Sequence, residues 1–133
     1  MADTLQFDLV SPERKLTSVE AASVQIPGMG GDFTAMPNHA PFLTTLRPGV
    51  VRVVTTGETI EYVVTGGFAE VSPTATTILA EQAVPRREAD AEMVQGLLAA
   101  AERELADAAQ DRRMAAGQRV RDVLALRSQL SLS

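Results

Sequence analysis

The sequence contains no cysteine and no tryptophan, and its only aromatic side chains are four Phe and one Tyr. Without cysteine, the chain forms no disulfide and has no thiol chemistry. With a single histidine, His39, it also lacks the Cys and His ligands of a tetrahedral zinc site. We therefore predict no metal site and no cofactor. The scarcity of aromatic side chains argues against a surface on which nucleic-acid bases stack.

Long apolar runs and a leader are also missing. No run approaches the length of about 18 residues that a membrane span requires, and residues 1–7 contain neither a basic leader nor an apolar signal core. The net charge is −5, with four basic and nine acidic side chains in residues 1–85 and eight of each in residues 86–133. We predict no nucleic-acid partner, because binding to phosphates needs clustered Lys and Arg.

The first 85 residues have the pattern of short β-strands. Leu5, Phe7 and Leu9 alternate with polar residues, which indicates a strand with one buried face. Many short strands separated by Gly and Pro are typical of an antiparallel sandwich or barrel. Further strands are predicted at 19–26 (ended by Pro27-Gly28), 50–55, 59–65, 68–71 and 76–80.

The composition changes at Pro85, beyond which there is no proline and many good helix formers. Apolar residues at helical spacing predict two helices, at 89–108 and 112–130, with Asp90 or Glu88 favouring the first N-terminus. Segment 88–107 carries six acids and one arginine, whereas 112–133 carries five arginines and one acid. We expect these charges to complement each other along an antiparallel seam. The predicted fold is α+β, with an antiparallel sandwich over 1–85 and a two-helix hairpin over 86–133.

Segment 30–49 contains His39 between two prolines, Pro37 and Pro41, and we expect a rigid, non-helical corner there. A catalytic role for His39 lacks partner residues, so a structural or contact role is favoured. The glycine-rich segment 28–31 lacks the spacing of a phosphate-binding loop and predicts a turn. The pair Gly66-Gly67 predicts a bulge or tight bend, with a close approach to a partner subunit as the alternative.

Five short motifs together resemble the epsilon subunit of F-type ATP synthases, in their order and spacing. The motifs are Gly31-Asp32-Phe33, Pro37-x-His39-Ala40-Pro41, Leu46-x-Pro48-Gly49, Val64-Thr65-Gly66-Gly67-Phe68-Ala69-Glu70-Val71 and Thr77-Ile78-Leu79-Ala80. Thr34 stands where many members of that family have Gly. The resemblance implies a sandwich of about ten strands followed by a helical hairpin.

The resemblance further implies a non-enzymatic rotor subunit of the central stalk, which couples proton flow through the c-ring to ATP synthesis. Its sandwich is expected to dock on the gamma subunit and on the ring of c subunits. With no transit-like leader, the expected location is the cytoplasmic face of a bacterial inner membrane, peripheral and not inserted. By motif position, the expected c-ring contacts are Gly31, Asp32, Met36, Pro37, Asn38 and His39.

The same resemblance implies that the second helix transiently contacts the catalytic beta and alpha subunits and inhibits ATP hydrolysis. The candidate contacts are Arg112, Arg113, Arg119, Arg121 and Arg127. Some members of the family bind ATP between the helices, through an Ile/Leu-Asp-x-x-Arg-Ala motif. Here Gln110 and Met114 replace its aliphatic and arginine positions, so we expect weak or absent nucleotide binding.

Two other functions are weaker alternatives. One is a small-ligand-binding β-sandwich with a helical oligomerisation tail, which requires a concave apolar pocket with convergent polar groups. The other is a hydrolase that uses His39.

Overall fold

The computed structural model describes residues 3–132. Residues up to Arg86 form one compact unit and residues from Arg87 onward form the other. The first unit consists of ten strands, and the second of two helices, so the predicted α+β class is confirmed. The strands are β1 Leu5–Val10, β2 Lys15–Ala21, β3 Ser23–Gly28, β4 Gly31–Ala35, β5 Phe42–Leu46, β6 Gly49–Thr55, β7 Glu58–Val64, β8 Gly67–Val71, β9 Ala75–Ala80 and β10 Ala83–Pro85.

The strands follow one another in the order β10-β7-β6-β3-β5-β8-β9-β1-β2, and β4 pairs with β3. All pairs are antiparallel except β1 and β9, which run parallel. Strand β2 also contacts β6 and β10, which brings the two ends of the sheet together. The result is a sandwich that is nearly a closed barrel.

Alternating side chains of the strands fill one core. Phe7 and Leu9 of β1 are fully buried, as the period-two pattern predicted, and Ile26 and Ile78 meet them from β3 and β9. Polar residues at the outward positions of the strands, such as Gln6 of β1 and Glu70 of β8, are exposed. Burial of this apolar set is the main force that holds the strands together.

The strand predicted at 19–26 was wrong in its bounds. The chain makes two strands there, because the backbone changes partner at Ala22. Up to Ala21 the chain pairs with β1, and from Ser23 it pairs with β6, with the Ala22 N–H donating to the Val54 carbonyl. Pro27 does not end the second strand but lies inside β3, opposite Asp32.

The corner expected over 30–49 is also shorter than predicted. Strands β4 and β5 occupy half of this segment, and residues 36–41 form an irregular turn between them. The remainder is extended because β4 pairs with β3 and β5 pairs with β8.

The second unit is a hairpin of α1 Ala91–Asp107 and α2 Arg113–Gln129, joined through a 3-10 turn at Gln110–Arg112. Asp90 caps α1, since its carboxylate accepts a hydrogen bond from the Met93 N–H at 2.9 Å. The buried residues Val94, Leu98 and Ala101 of α1 pack on Val123 of α2.

The predicted charge complementarity is not made by the exposed acids of α1. Glu92, Glu102 and Glu104 are exposed, and none of them has an ion-pair or hydrogen-bond partner within residues 3–132. The seam is instead apolar, with Leu97 and Val120 adding to its buried cluster. Aliphatic packing therefore holds the helices together.

Candidate contact surfaces

The turn around His39 is fixed by its own backbone. Asn38 adopts a left-handed conformation with φ of 72°, which Asn tolerates better than most residues. Its N–H donates to the Pro73 carbonyl at 2.8 Å, which ties the turn to the β8–β9 connection. The His39 Nδ1 lies 2.6 Å from the Ala40 carbonyl oxygen. Local contacts thus hold the imidazole, in agreement with the structural or contact role favoured for His39 from the sequence.

A second turn joins β3 to β4 and leads into Gly31, the first residue of β4, which has a φ of 137°. The guanidinium of Arg47 holds this turn from the far end of β5. It donates to the Gly28 carbonyl at 3.0 Å and forms an ion pair with Asp32. The Asp32 carboxylate is consequently engaged within the chain, although more than half of its side chain stays exposed.

The six residues expected to contact the c-ring therefore fall into two groups. Gly31 and Asp32 begin β4, whereas the group from Met36 to His39 follows its end. At about 3.3 Å per residue, Asp32 and Met36 lie about 13 Å apart along the chain. The two groups flank opposite ends of the β5–β8 pair, because Gly28 pairs with Leu46 and Asn38 bonds to Pro73.

Sequence reasoning missed a third surface, the outer face of β5, β8 and β9. The registers place Leu43 beside Glu70 and Glu70 beside Thr77 in one row, and Thr45, Phe68 and Leu79 in the next. We call these six residues the outer face. The exposed fractions of Leu43, Phe68 and Leu79 are 66%, 54% and 55%. A shallow groove of about 280 Å³ runs across it.

The signal for this face was present in the strand pattern. Alternate residues of β8 and β9, such as Ala69 and Ile78, are fully buried, so the intervening positions must point outward. Apolar residues at outward positions indicate a contact surface. The sequence alone did not give the strand pairing that brings them together.

The Gly66-Gly67 bend is explained by its own strand neighbours. Both glycines have positive φ, 150° and 125°. A Cβ on Gly67 would overlap the Leu79 carbonyl and lie 2.8 Å from the Ala80 Cα. Close approach of β9 requires glycine here, without any partner subunit.

The five candidate arginines do not form one stripe. Arg112 lies in the turn between the helices, and Arg113 begins α2. Arg113 and Arg121 are exposed, whereas Arg119 and Arg127 are partly buried. Arg121 donates to the Gln118 side chain at 2.9 Å.

A hollow of about 320 Å³ lies at the turn between the helices. Its charged lining residues are Glu104, Asp107 and Arg112, so carboxylates outnumber the guanidinium. Within residues 3–132 there is no group of three or more His, Asp or Glu side chains placed to hold a metal ion. The helices of that same part of the chain are all too short or too polar to cross a membrane.

Comparison with known proteins accounts for this architecture. A family model described as "ATP synthase, Delta/Epsilon chain, beta-sandwich domain" matches residues 4–86. The ATP synthase epsilon chain of Fuscovulum blasticum is 62% identical over 99 residues, covering 74% of this chain and 76% of that one. The epsilon chain 1 of Cereibacter sphaeroides is 49% identical over 130 residues, covering 96% and 97%.

The chain belongs to the ATP synthase epsilon family. The expected resemblance is thereby confirmed. Its fold also recurs in distant members of ATP synthase complexes. A chain of the Euglena gracilis mitochondrial ATP synthase (OSCP/F1/c-ring) superposes with a TM-score of 0.75 at 22% identity, over 98% of this chain and 83% of that one. A chain of the Tetrahymena thermophila central stalk and c-ring superposes with a TM-score of 0.71 at 13% identity, over 97% and 96%.

Proposed function

We propose that this chain is a non-catalytic subunit of the central stalk of a proton-translocating F-type ATP synthase. In this proposal it turns with the rotor and couples proton flow through the c-ring to ATP synthesis. It lies at the cytoplasmic face of a bacterial inner membrane, peripheral through the complex. The observation that carries the proposal is an exposed apolar face on the sandwich of an epsilon-family chain. Such a face gains about 25 cal/mol per Å² when a partner covers it.

The sandwich offers separate surfaces for two partners. We assign the outer face to the gamma subunit, because contiguous exposed apolar side chains mark protein contacts. We assign the two turns to the c-ring, with Met36–His39 at one end of β4 and Gly31–Asp32 at the other. A c-ring binding assay tests the two turns separately. His39→Ala changes only the first turn and Gly31→Ala only the second, and each variant should weaken binding to the c-ring if its turn contacts the ring.

The helical hairpin supplies regulation in this proposal. Its arginines contact the catalytic beta and alpha subunits transiently and restrain ATP hydrolysis. Arg112, Arg113 and Arg121 are the strongest candidates, because they are the exposed members of the set and so available to an acidic segment. ATP is not expected to bind in the hollow between the helices, since Glu104 and Asp107 would repel its phosphates.

Binding of the full chain to purified gamma subunit tests the docking assignment. Leu43→Ser removes the most exposed apolar side chain of the outer face, and we expect affinity to fall by about tenfold or more. Met29→Ser, an exposed methionine of the β3–β4 turn, is the matched control and should leave gamma affinity unchanged. Equal binding by both variants would refute the assignment, and no binding by the wild-type chain would refute the proposed function.

Hydrolysis by the cognate synthase core tests the regulatory assignment. The core is assayed alone, with the full chain, and with a variant in which all five arginines are Gln. Suppression by the wild type that is lost in the variant supports inhibition by this helix. Equal suppression by both would show that the arginines are not responsible. Calorimetry with ATP at physiological concentration should give no binding heat.

A further inference from the structure

The outer face has a carboxylate at its centre, and this is unusual for an apolar docking surface. Glu70 lies on β8 between Leu43 of β5 and Thr77 of β9, with Phe68 two residues along the same strand. Directly opposed side chains in antiparallel strands have Cβ atoms about 5 Å apart. The Glu70 carboxylate therefore lies within the area that a partner covers.

No described residue within 3–132 neutralises this carboxylate. Neither an ion pair nor a hydrogen bond reaches Glu70 from the sandwich, in contrast to Asp32 and Glu61, which pair with Arg47 and Arg86. Its neighbours in the groove are two aliphatic side chains, a phenyl ring and one hydroxyl, from Leu43, Leu79, Phe68 and Thr77. When a partner displaces water from the face, this charge loses its hydration without an internal replacement.

A docking partner must then supply the missing counter-charge. An unpaired carboxylate that becomes buried opposes association strongly, whereas a hydrogen-bonded charge pair at the same place favours it. A guanidinium suits this site better than an ammonium group. Its planar fork binds a carboxylate through two hydrogen bonds, and its flat face stacks on an aromatic ring such as Phe68.

We propose that Glu70 determines the specificity of the outer face by pairing with an arginine that the gamma subunit presents at the centre of its docking surface. This inference rests on the proposed function, which makes gamma the occupant. It adds the chemistry of that occupant: an apolar surface with one central guanidinium. A partner surface that is wholly apolar, or that carries an acidic residue there, is rejected.

The test is binding of the full chain to purified gamma subunit at low and high salt. Glu70→Gln keeps the size of the side chain and removes its charge. We expect about tenfold weaker binding at low salt and at high salt alike, because salt screens a covered charge pair only weakly. Glu58→Gln changes an exposed glutamate of β7, far from β8 in the strand order, and should leave both quantities unchanged.

Three results would overturn the inference. Glu70→Gln could bind as tightly as the wild type or more tightly, it could weaken binding only at low salt, as an exposed and screened charge would, or Glu58→Gln could have the same effect. Leu43→Ser separates this failure from failure of the proposed function. If Leu43→Ser weakens binding and Glu70→Gln does not, the face is correct and only the counter-charge is wrong. If Leu43→Ser has no effect, the docking face itself is wrong.

Discussion

Replacing Gly67 by alanine should destabilise the sandwich severely. At φ of 125° an L-residue is strained, at a cost of about 1–3 kcal/mol. The new Cβ would also overlap the Leu79 carbonyl and lie 2.8 Å from the Ala80 Cα. Since both are backbone atoms of the paired strand, β9 must shift, at a further cost of about 1–3 kcal/mol. The total of roughly 2–6 kcal/mol is a large part of the 5–15 kcal/mol that stabilises a typical domain.

The neighbouring Gly66 provides a matched control. Its φ is also positive, but a Cβ there would meet only the Glu81 carboxylate, at 3.1 Å, which is the flexible end of a side chain. Gly66→Ala should therefore cost only the conformational term, about 1–3 kcal/mol. Tyr62 is buried in the sandwich core and is the only Tyr in a chain without Trp. Urea unfolding followed by its fluorescence consequently reports on the sandwich alone. Equal midpoints for the two variants would refute the steric argument.

Three further substitutions test local contacts. Thr76→Val should stabilise the sandwich by about 1 kcal/mol, because its fully buried hydroxyl has no partner among the described residues; a lower urea midpoint would contradict this. Asp90→Ala should cost about 1 kcal/mol by removing the cap on Met93, seen as faster amide exchange in the first turn of α1. Arg47→Gln should cost about 1–2 kcal/mol, more than Asp32→Asn, because it also loses the bond to Gly28.

Local sequence signals predicted both helices and most strands of this fold, but not β4, β5 or β10. The alternation at Leu5, Phe7 and Leu9 predicted β1, and the loss of proline after Pro85 marked the change to helices. These signals work because they arise from the geometry of one strand or one helix. Pairing between strands depends on residues far apart in sequence, and so the change of partner at Ala22 was missed.

The same limit applies to the candidate contacts. Motif order grouped Asp32 with His39. Strand β4 separates them along the chain, although the centre of the His39 ring lies 6.2 Å from that of the ring of Phe33, the residue after Asp32. Asp32 forms an ion pair with Arg47, fifteen residues away, which local sequence does not indicate; its contact with the c-ring stays a prediction. The outer face was missed because Leu43, Phe68 and Leu79 have the composition of a core. Only the register of three strands distinguishes an apolar residue that packs inward from one that faces outward and can contact a partner.

Glu70 also bears on what the outer face must avoid. An exposed apolar sheet face favours self-association. If two copies met face to face about a twofold axis through Glu70, the two carboxylates would be brought together, and like charges in a desolvated contact oppose association. Glu70→Leu should therefore raise the tendency to dimerise, measured by sedimentation equilibrium, whereas Glu58→Leu on β7 should not. If Glu70→Leu stays as monomeric as the wild type, the carboxylate has no role in preventing self-association, and any role in selecting a partner must be judged by gamma binding alone.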